Sequence, residues 1–216
     1  MRVAMLLYPR LTQLVLTGPH EVLARLPDAR VDLVAKTREP VVSESGLAIV
    51  PTTTLDDAAA TAYDILFVPG GYGQIAVIDD PAWLGFVRRT GATARWVTSA
   101  CTGALVLGAA GLLRGYRAAT HWAFMELLPL VDAVPTPERV VIDRNRITGG
   151  GVTAGIDIAL AIAEHACSRD VADTIRLQLE YAPPPQPTPS PELVERVRAQ
   201  MTARFAERRA QLERLR

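Results

Sequence analysis

Little in this chain could hold a metal, staple a small fold or grip a polyanion. Among 216 residues there are two cysteines, Cys101 and Cys167, and three histidines, His20, His121 and His165. A cysteine pair in a chain of this length is no disulfide framework. Nor do these residues fall at the spacing of a structural zinc site, so no metal is expected. Lys plus Arg number 23, as do Asp plus Glu, for a formal net charge of zero. With no basic patch, affinity by phosphate neutralisation is missing, which argues against a nucleic-acid binder. No uncharged run is long enough to span a bilayer, and the apolar start Met1-Arg-Val-Ala-Met-Leu-Leu-Tyr8 is too short for a signal peptide's apolar region. The expectation is a cytoplasmic protein that works on neither membrane nor nucleic acid.

What the chain has in quantity is apolar residue, 49% against 21% charged, enough for one α/β domain with a full core. Short apolar runs alternate with segments of helical period, the pattern of a doubly wound sheet with helices on both faces. Strands are expected at residues 3–8, 31–36, 65–68 and 96–98. Two more, 140–143 and 146–148, flank the turn Arg144-Asn145, and 48–53 has a hairpin-like pattern. Helices are expected at 19–26, at 81–90 behind the capping pair Asp79-Asp80 with Pro81 in the first turn, at 102–113, shortly after Trp122, and at 156–166.

This α/β domain should occupy residues 1–181. Residues 182–191, with the run Ala182-Pro-Pro-Pro-Gln-Pro-Thr-Pro-Ser-Pro191, form a linker expected to run as extended polyproline II. Residues 192–216 then place Leu193, Val197, Met201, Phe205, Leu212 and Leu215 near helical spacing, an amphipathic helix expected to dock on its own domain or, the favoured reading, on a twin subunit.

The segment with most chemistry in it is Ala94-Arg-Trp-Val-Thr-Ser-Ala-Cys-Thr-Gly-Ala-Leu-Val-Leu-Gly108. A strand runs into Cys101 and a helix of small residues leaves it, which is the layout of a nucleophile elbow. The helix N-terminus aimed at the thiol should lower its pKa and leave it partly thiolate near neutrality. A thiolate attacking an electrophilic carbon needs N–H donors held in advance. Gly70 and Gly71, at the end of the 65–68 strand, Thr102, and the glycine run before Val152 are candidates. His121 could be the cysteine's partner or a packed histidine. An acid for proton transfer is missing from residues 11–20, and the first one met is Glu21. Tyr72 and Trp122 are expected in the pocket wall. Cys167 lacks a glycine turn behind it and is expected to be a small core residue.

These residues resemble the isocyanide hydratases, within the PfpI-like cysteine-elbow superfamily. The likeness runs through Gln13-Leu-Val-Leu-Thr-Gly-Pro-His20, Val68-Pro-Gly-Gly71, Thr98-Ser-Ala-Cys-Thr-Gly103, Ala119-Thr-His-Trp122, Ile147-Thr-Gly-Gly-Gly-Val-Thr-Ala-Gly-Ile-Asp157 and Leu177-Gln-Leu-Glu-Tyr-Ala-Pro183. The resemblance implies a flavodoxin-like sandwich, a homodimer, no cofactor, and hydration of a small electrophile, an isocyanide R–N≡C, to an N-formamide through a Cys101 thiolate adduct. It implies roles for Thr102 beside the nucleophile and for the Val152 backbone N–H facing it. The family has an acid–base Asp where this chain has Val15, and loss of such a group typically costs about 10² to 10⁴ in rate. His121, Glu21, the Thr102 hydroxyl or water would have to stand in. The competing reading is a non-catalytic, redox-sensing protein with an oxidisable Cys101.

Overall fold

The computed structural model describes residues 1–183, 185, 188–204 and 207–215. The first half of the chain is β1 (Arg2–Leu6), α1 (Gln13–Leu23), β2 (Arg30–Ala35), β3 (Val41–Val42), β4 (Ala48–Ile49), β5 (Thr53–Thr54), α2 (Leu55–Ala58), β6 (Ile65–Val68), α3 (Gln74–Ile78), α4 (Pro81–Thr93) and β7 (Trp96–Ala100). The second is α5 (Gly103–Ala109), β8 (Arg117–Ala118), a 3₁₀ helix (Trp122–Val131), β9 (Val134–Pro135), β10 (Val140–Asp143), β11 (Arg146–Gly149), α6 (Ala154–Ala166), α7 (Arg169–Gln178), α8 (Pro191–Arg204) and α9 (Glu207–Glu213).

Among the described residues, seven strands form one sheet in the order β10-β11-β7-β6-β1-β2-β5. Every neighbouring pair is parallel except the β10–β11 hairpin. The fold is a flavodoxin-like α/β sandwich, with α1, α6 and α7 packed together on one face and α3, α4 and α5 on the other. Residues 3–8 and all of β6 are completely buried. A strand covered on both faces has no polar side to show, which is why these segments stand in the sequence as continuous apolar runs. Strand order reverses at β1, with β2 on one side and β6 on the other, and sheets of this kind open a crevice at the carboxyl ends of the strands near such a reversal.

Packing moved several boundaries. Helix α1 starts at Gln13, not at residue 19, so Pro19 lies inside it. The proline signal for a first turn loses here to contact between helices. A Cβ on Gly155 of α6 would sit 2.9 Å from Pro19 Cγ, so the proline ring fills the space that glycine leaves. Helix α5 ends at Ala109, short of the expected 113, and Gly111 follows with φ +77°. Helices α2, α3 and α7 lie outside the segments expected to be helical. The segment expected to be one helix over 192–216 is two, α8 and α9, and α9 packs on its own chain against α3 and the 3₁₀ helix. Leu212 is fully buried there, whereas Leu193 and Leu215 are exposed. Phe205 and linker positions 184, 186 and 187 lie outside the described residues.

Two glycines separate close approach from backbone conformation. A Cβ on Gly103 would fall 2.0 Å from the carbonyl oxygen of Val68, whereas one on Gly111 would meet nothing within 4 Å but would require φ +77° of an L-residue. In urea unfolding, Gly103→Ala is expected to lose at least about 3 kcal/mol by forcing strand and helix apart, and Gly111→Ala only about 1 to 2 kcal/mol. Equal losses would contradict the close-packing account.

Candidate active site

Cys101 stands where β7 ends and α5 begins. Its φ of +55° is one that side-chain-bearing residues rarely adopt, and the flanks hold it there. The Cys101 N–H donates to Gly149 O at 3.0 Å and Gly150 O at 2.8 Å, and Thr120 Oγ1 donates to Cys101 O at 2.9 Å. The bend is therefore tied on both sides to neighbouring loops.

The Gly70–Gly71 turn after β6 presses on this elbow from the other direction. A Cβ on Gly70 would lie 2.5 Å from Thr102 N and 2.8 Å from Cys101 Cβ, and one on Gly71 would lie 2.3 Å from Thr12 N. The Gly71 N–H donates to Thr102 Oγ1 at 3.1 Å, so it is already engaged and does not serve as the free donor expected of it. The Thr102 hydroxyl itself donates to Gly71 O at 3.4 Å, and the Thr102 N–H and hydroxyl both favour the ionised form of the thiol beside them. Val152 lines the cavity over Cys101.

That cavity has a volume of about 70 Å³. Cys101 and Thr102 share it with Thr12 from the β1–α1 loop, Glu44 from the β3–β4 turn, and His121 and Phe124 at the 3₁₀ helix. Met201 of α8 and Arg208 of α9 complete it. Thr12 Oγ1 donates to Glu44 Oε1 at 2.7 Å, which fixes the carboxylate's direction.

Other expected residues are elsewhere. Val15 is fully buried in α1 but does not line the cavity. Glu21 is exposed and paired with Arg25 at 2.6 Å on the surface of α1, so it cannot be the missing acid. Tyr72 stacks under the Arg10 guanidinium, 3.9 Å from its ring centre, and borders a neighbouring cleft. Trp122 is 38% exposed beneath Arg198, outside the cavity. Cys167 is exposed rather than packed, because it follows the last turn of α6 at the surface. Sequence reasoning misses five lining residues, Thr12, Glu44, Phe124, Met201 and Arg208. The two charged ones have no sequence signature, since Glu44 sits in a surface turn and Arg208 in a run of charges.

Burial governs the electrostatics. Desolvation pushes the Cys101 thiol up to about 11, against the pull of the Thr102 hydrogen bonds and the Arg208 charge, with Glu44 adding to the rise. Removal of the sulfur from water thus works against the partial ionisation expected from the end of a short helix. His121 is held down at about 4, first by burial and then by Arg208. Its Nδ1 accepts the Ala123 N–H at 3.3 Å, so the neutral ring carries its proton on Nε2. Burial draws Arg208 below its ordinary range, opposed by Cys101, Tyr8 and Glu44, but a guanidinium hydrogen-bonded to Gly71 O stays a cation. Among the described residues no cluster of three or more His, Cys, Asp or Glu is placed to hold a metal, and no helix is long and apolar enough to cross a membrane.

A buried thiol on a strained elbow, at the carboxyl edge of a parallel sheet and beside a turn of two glycines, defines a class of α/β protein built to present one cysteine to a small cavity. The chain belongs to the DJ-1/PfpI family, whose pattern matches residues 1–165. It is 51% identical to isonitrile hydratase of Pseudomonas putida over 193 residues, 89% of this chain and 84% of that protein. A ThiJ/PfpI family protein from Pseudomonas syringae superposes with a TM-score of 0.88 at 41% identity, over 99% of this chain and 89% of the other. A DJ-1 superfamily protein from Salmonella typhimurium gives 0.76 at 28% identity, over 84% and 98%.

Folding raises the Cys101 thiol from its ordinary 9.0 to about 11. An acid so raised leaves stability untouched below the unfolded value and diminishes it as pH climbs through 9 towards 11, because only the unfolded chain then ionises. In alkylation by iodoacetamide at about pH 7.5, exposed Cys167 is expected to react before Cys101. The Cys101 rate, followed by peptide mass spectrometry, should still be climbing at pH 9. A Cys101 rate that levels off below pH 8 would refute this assignment.

Proposed function

We propose that this protein hydrates isocyanides to N-formamides, with Cys101 as nucleophile and Glu44 as the proton carrier in place of the acid that its family has at Val15. The observation that carries the reading is the pairing of a neutral elbow thiol with a carboxylate in one small cavity, in a chain half identical to an isonitrile hydratase. The cavity's volume of about 70 Å³ suits a slender reactive head.

Glu44 takes the proton from Cys101 Sγ while the sulfur forms a bond to the terminal carbon of R–N≡C. The lone pair left on that carbon takes the proton back from Glu44, giving the thioimidate R–N=CH–S. Water then adds to the same carbon, its proton passing through Glu44 to the nitrogen. The C–S bond breaks, the hydroxyl proton returns to sulfur, and R–NH–CHO leaves. Glu44 therefore ends each half of the cycle in the state in which it began. The neutral His121 Nε2–H and the Thr102 hydroxyl are the donors available to steady the developing charge.

A peroxide-sensing role has less support, since oxidation to sulfenic acid proceeds through the thiolate and the buried Cys101 is held mostly as thiol.

Formamide production from an aryl isocyanide, followed in the ultraviolet, tests the reading. Cys101→Ser is expected to abolish turnover, and Glu44→Gln to lower kcat by about 10² to 10⁴ with a smaller change in KM. Absence of turnover in the unaltered protein would sink the proposal. Full activity in Glu44→Gln would remove Glu44 from it.

A further inference from the structure

Helix α9 reaches the site with a charge instead of an apolar plug. Its buried side chains are Arg208, Gln211 and Leu212, of which only the leucine is apolar. Arg208 is 1% exposed. Its Nη2 donates to Gly71 O at 2.9 Å, its Nε donates to the Gln74 amide oxygen at 2.8 Å, and its guanidinium lies 4.6 Å from the centre of the Phe124 ring. Gln211 Nε2 donating to Ile75 O and the Arg209–Glu126 pair, at 2.8 Å, fasten the helix on either side.

A guanidinium withdrawn from water is a poor means of docking a helix, because its desolvation offsets most of what its contacts return. Leucine or methionine would hold α9 down at less cost. What the arginine does that they cannot is bring positive charge into the cavity of Cys101. Among the described residues, the other titratable groups facing the thiol there are Tyr8 of the β1 edge, Glu44 of the β3–β4 turn and His121. Tyr8 and His121 are neutral near pH 7, and Glu44 acts on the sulfur in the opposite direction. Arg208 is thus the cation among them. It also lies beyond residues 1–165, the part matched by the family pattern.

We propose that Arg208 is a positioning residue of this site, carried in by α9 so that its charge, fixed on the Gly71 carbonyl beside the elbow, favours Cys101 in its ionised form as the sulfur attacks. The inference rests on Cys101 being the nucleophile but not on isocyanide being its target.

The test is the pH midpoint of Cys101 alkylation by iodoacetamide in the full chain, with peptide mass spectrometry reading Cys101 apart from Cys167. The midpoint is used because it is insensitive to changes in access that scale the rate at every pH. Arg208→Met is expected to raise it by about one unit, a loss of roughly tenfold in thiolate at neutral pH, while Arg208→Lys keeps it near the starting value. If Arg208→Met does not fold, Arg208→Gln, which retains a donor for Gly71 O without the charge, carries the same comparison. An unchanged midpoint in the uncharged variant would overturn the proposal. So would a lysine variant shifted as far as the methionine one, since packing and not charge would then be responsible. Alkylation needs no isocyanide, so a shifted midpoint in a protein that makes no formamide would uphold Arg208 and refute the hydratase reading.

Discussion

Two loops in contact, Gly70–Gly71 and Cys101–Thr102, are the constraint on which the rest of this site depends. Their approach is closer than any side chain on the glycines would allow. It lets Thr102 Oγ1 take the Gly71 N–H, and it keeps Cys101 at positive φ, with the sulfur turned towards the cavity instead of along the strand. The parallel register of β6 against β7 brings the two loops to the same level. Energy stored in the bend, on the order of 1–3 kcal/mol for such a conformation, is balanced by the Gly149, Gly150 and Thr120 hydrogen bonds around it.

Once the thiol is placed there, its ionisation becomes a contest between burial and charge. The helix N-terminus of α5 points the right way, but α5 is only seven residues long and its end effect is worth at most a kcal/mol or two, on the order of 0.3–2. Removing the sulfur from water acts in the other direction and wins. The cavity answers with charges brought from far along the chain. Glu44 arrives on a surface turn, oriented by Thr12, and Arg208 arrives on the C-terminal helix, braced by Gly71. A neutral thiol with a carboxylate at hand fits a reaction in which deprotonation and attack are coupled better than one starting from a standing thiolate.

Position 15 is a fully buried valine in α1 and does not line the cavity. The carboxylate in the cavity comes from residue 44, in a turn between two strands of two residues each. The exposed Glu21, next in sequence after the gap, is on the wrong side of α1 and spends its charge on Arg25.

Sequence alone determined the parts of this protein that follow from local repetition and local geometry. Continuous apolar runs marked β1 and β6, because strands buried on both faces carry mainly apolar side chains. Asp80 and Pro81 marked the start of α4 by satisfying the free N–H groups of a first turn. Small residues around Cys101 marked the elbow, because nothing larger passes through so tight a bend. Tertiary structure alone decided what surrounds the sulfur. It set the start of α1, since the fit of Pro19 against Gly155 is a contact between distant segments. It placed Glu44 and Arg208 in one cavity with Cys101, although 57 and 107 residues separate them from it in the chain. Apolar periodicity could not reveal Arg208, because the buried face of α9 is mostly polar. Tertiary structure also set how far the sulfur is removed from water, because desolvation depends on how many layers of chain lie over an atom, a quantity that no short stretch of sequence contains.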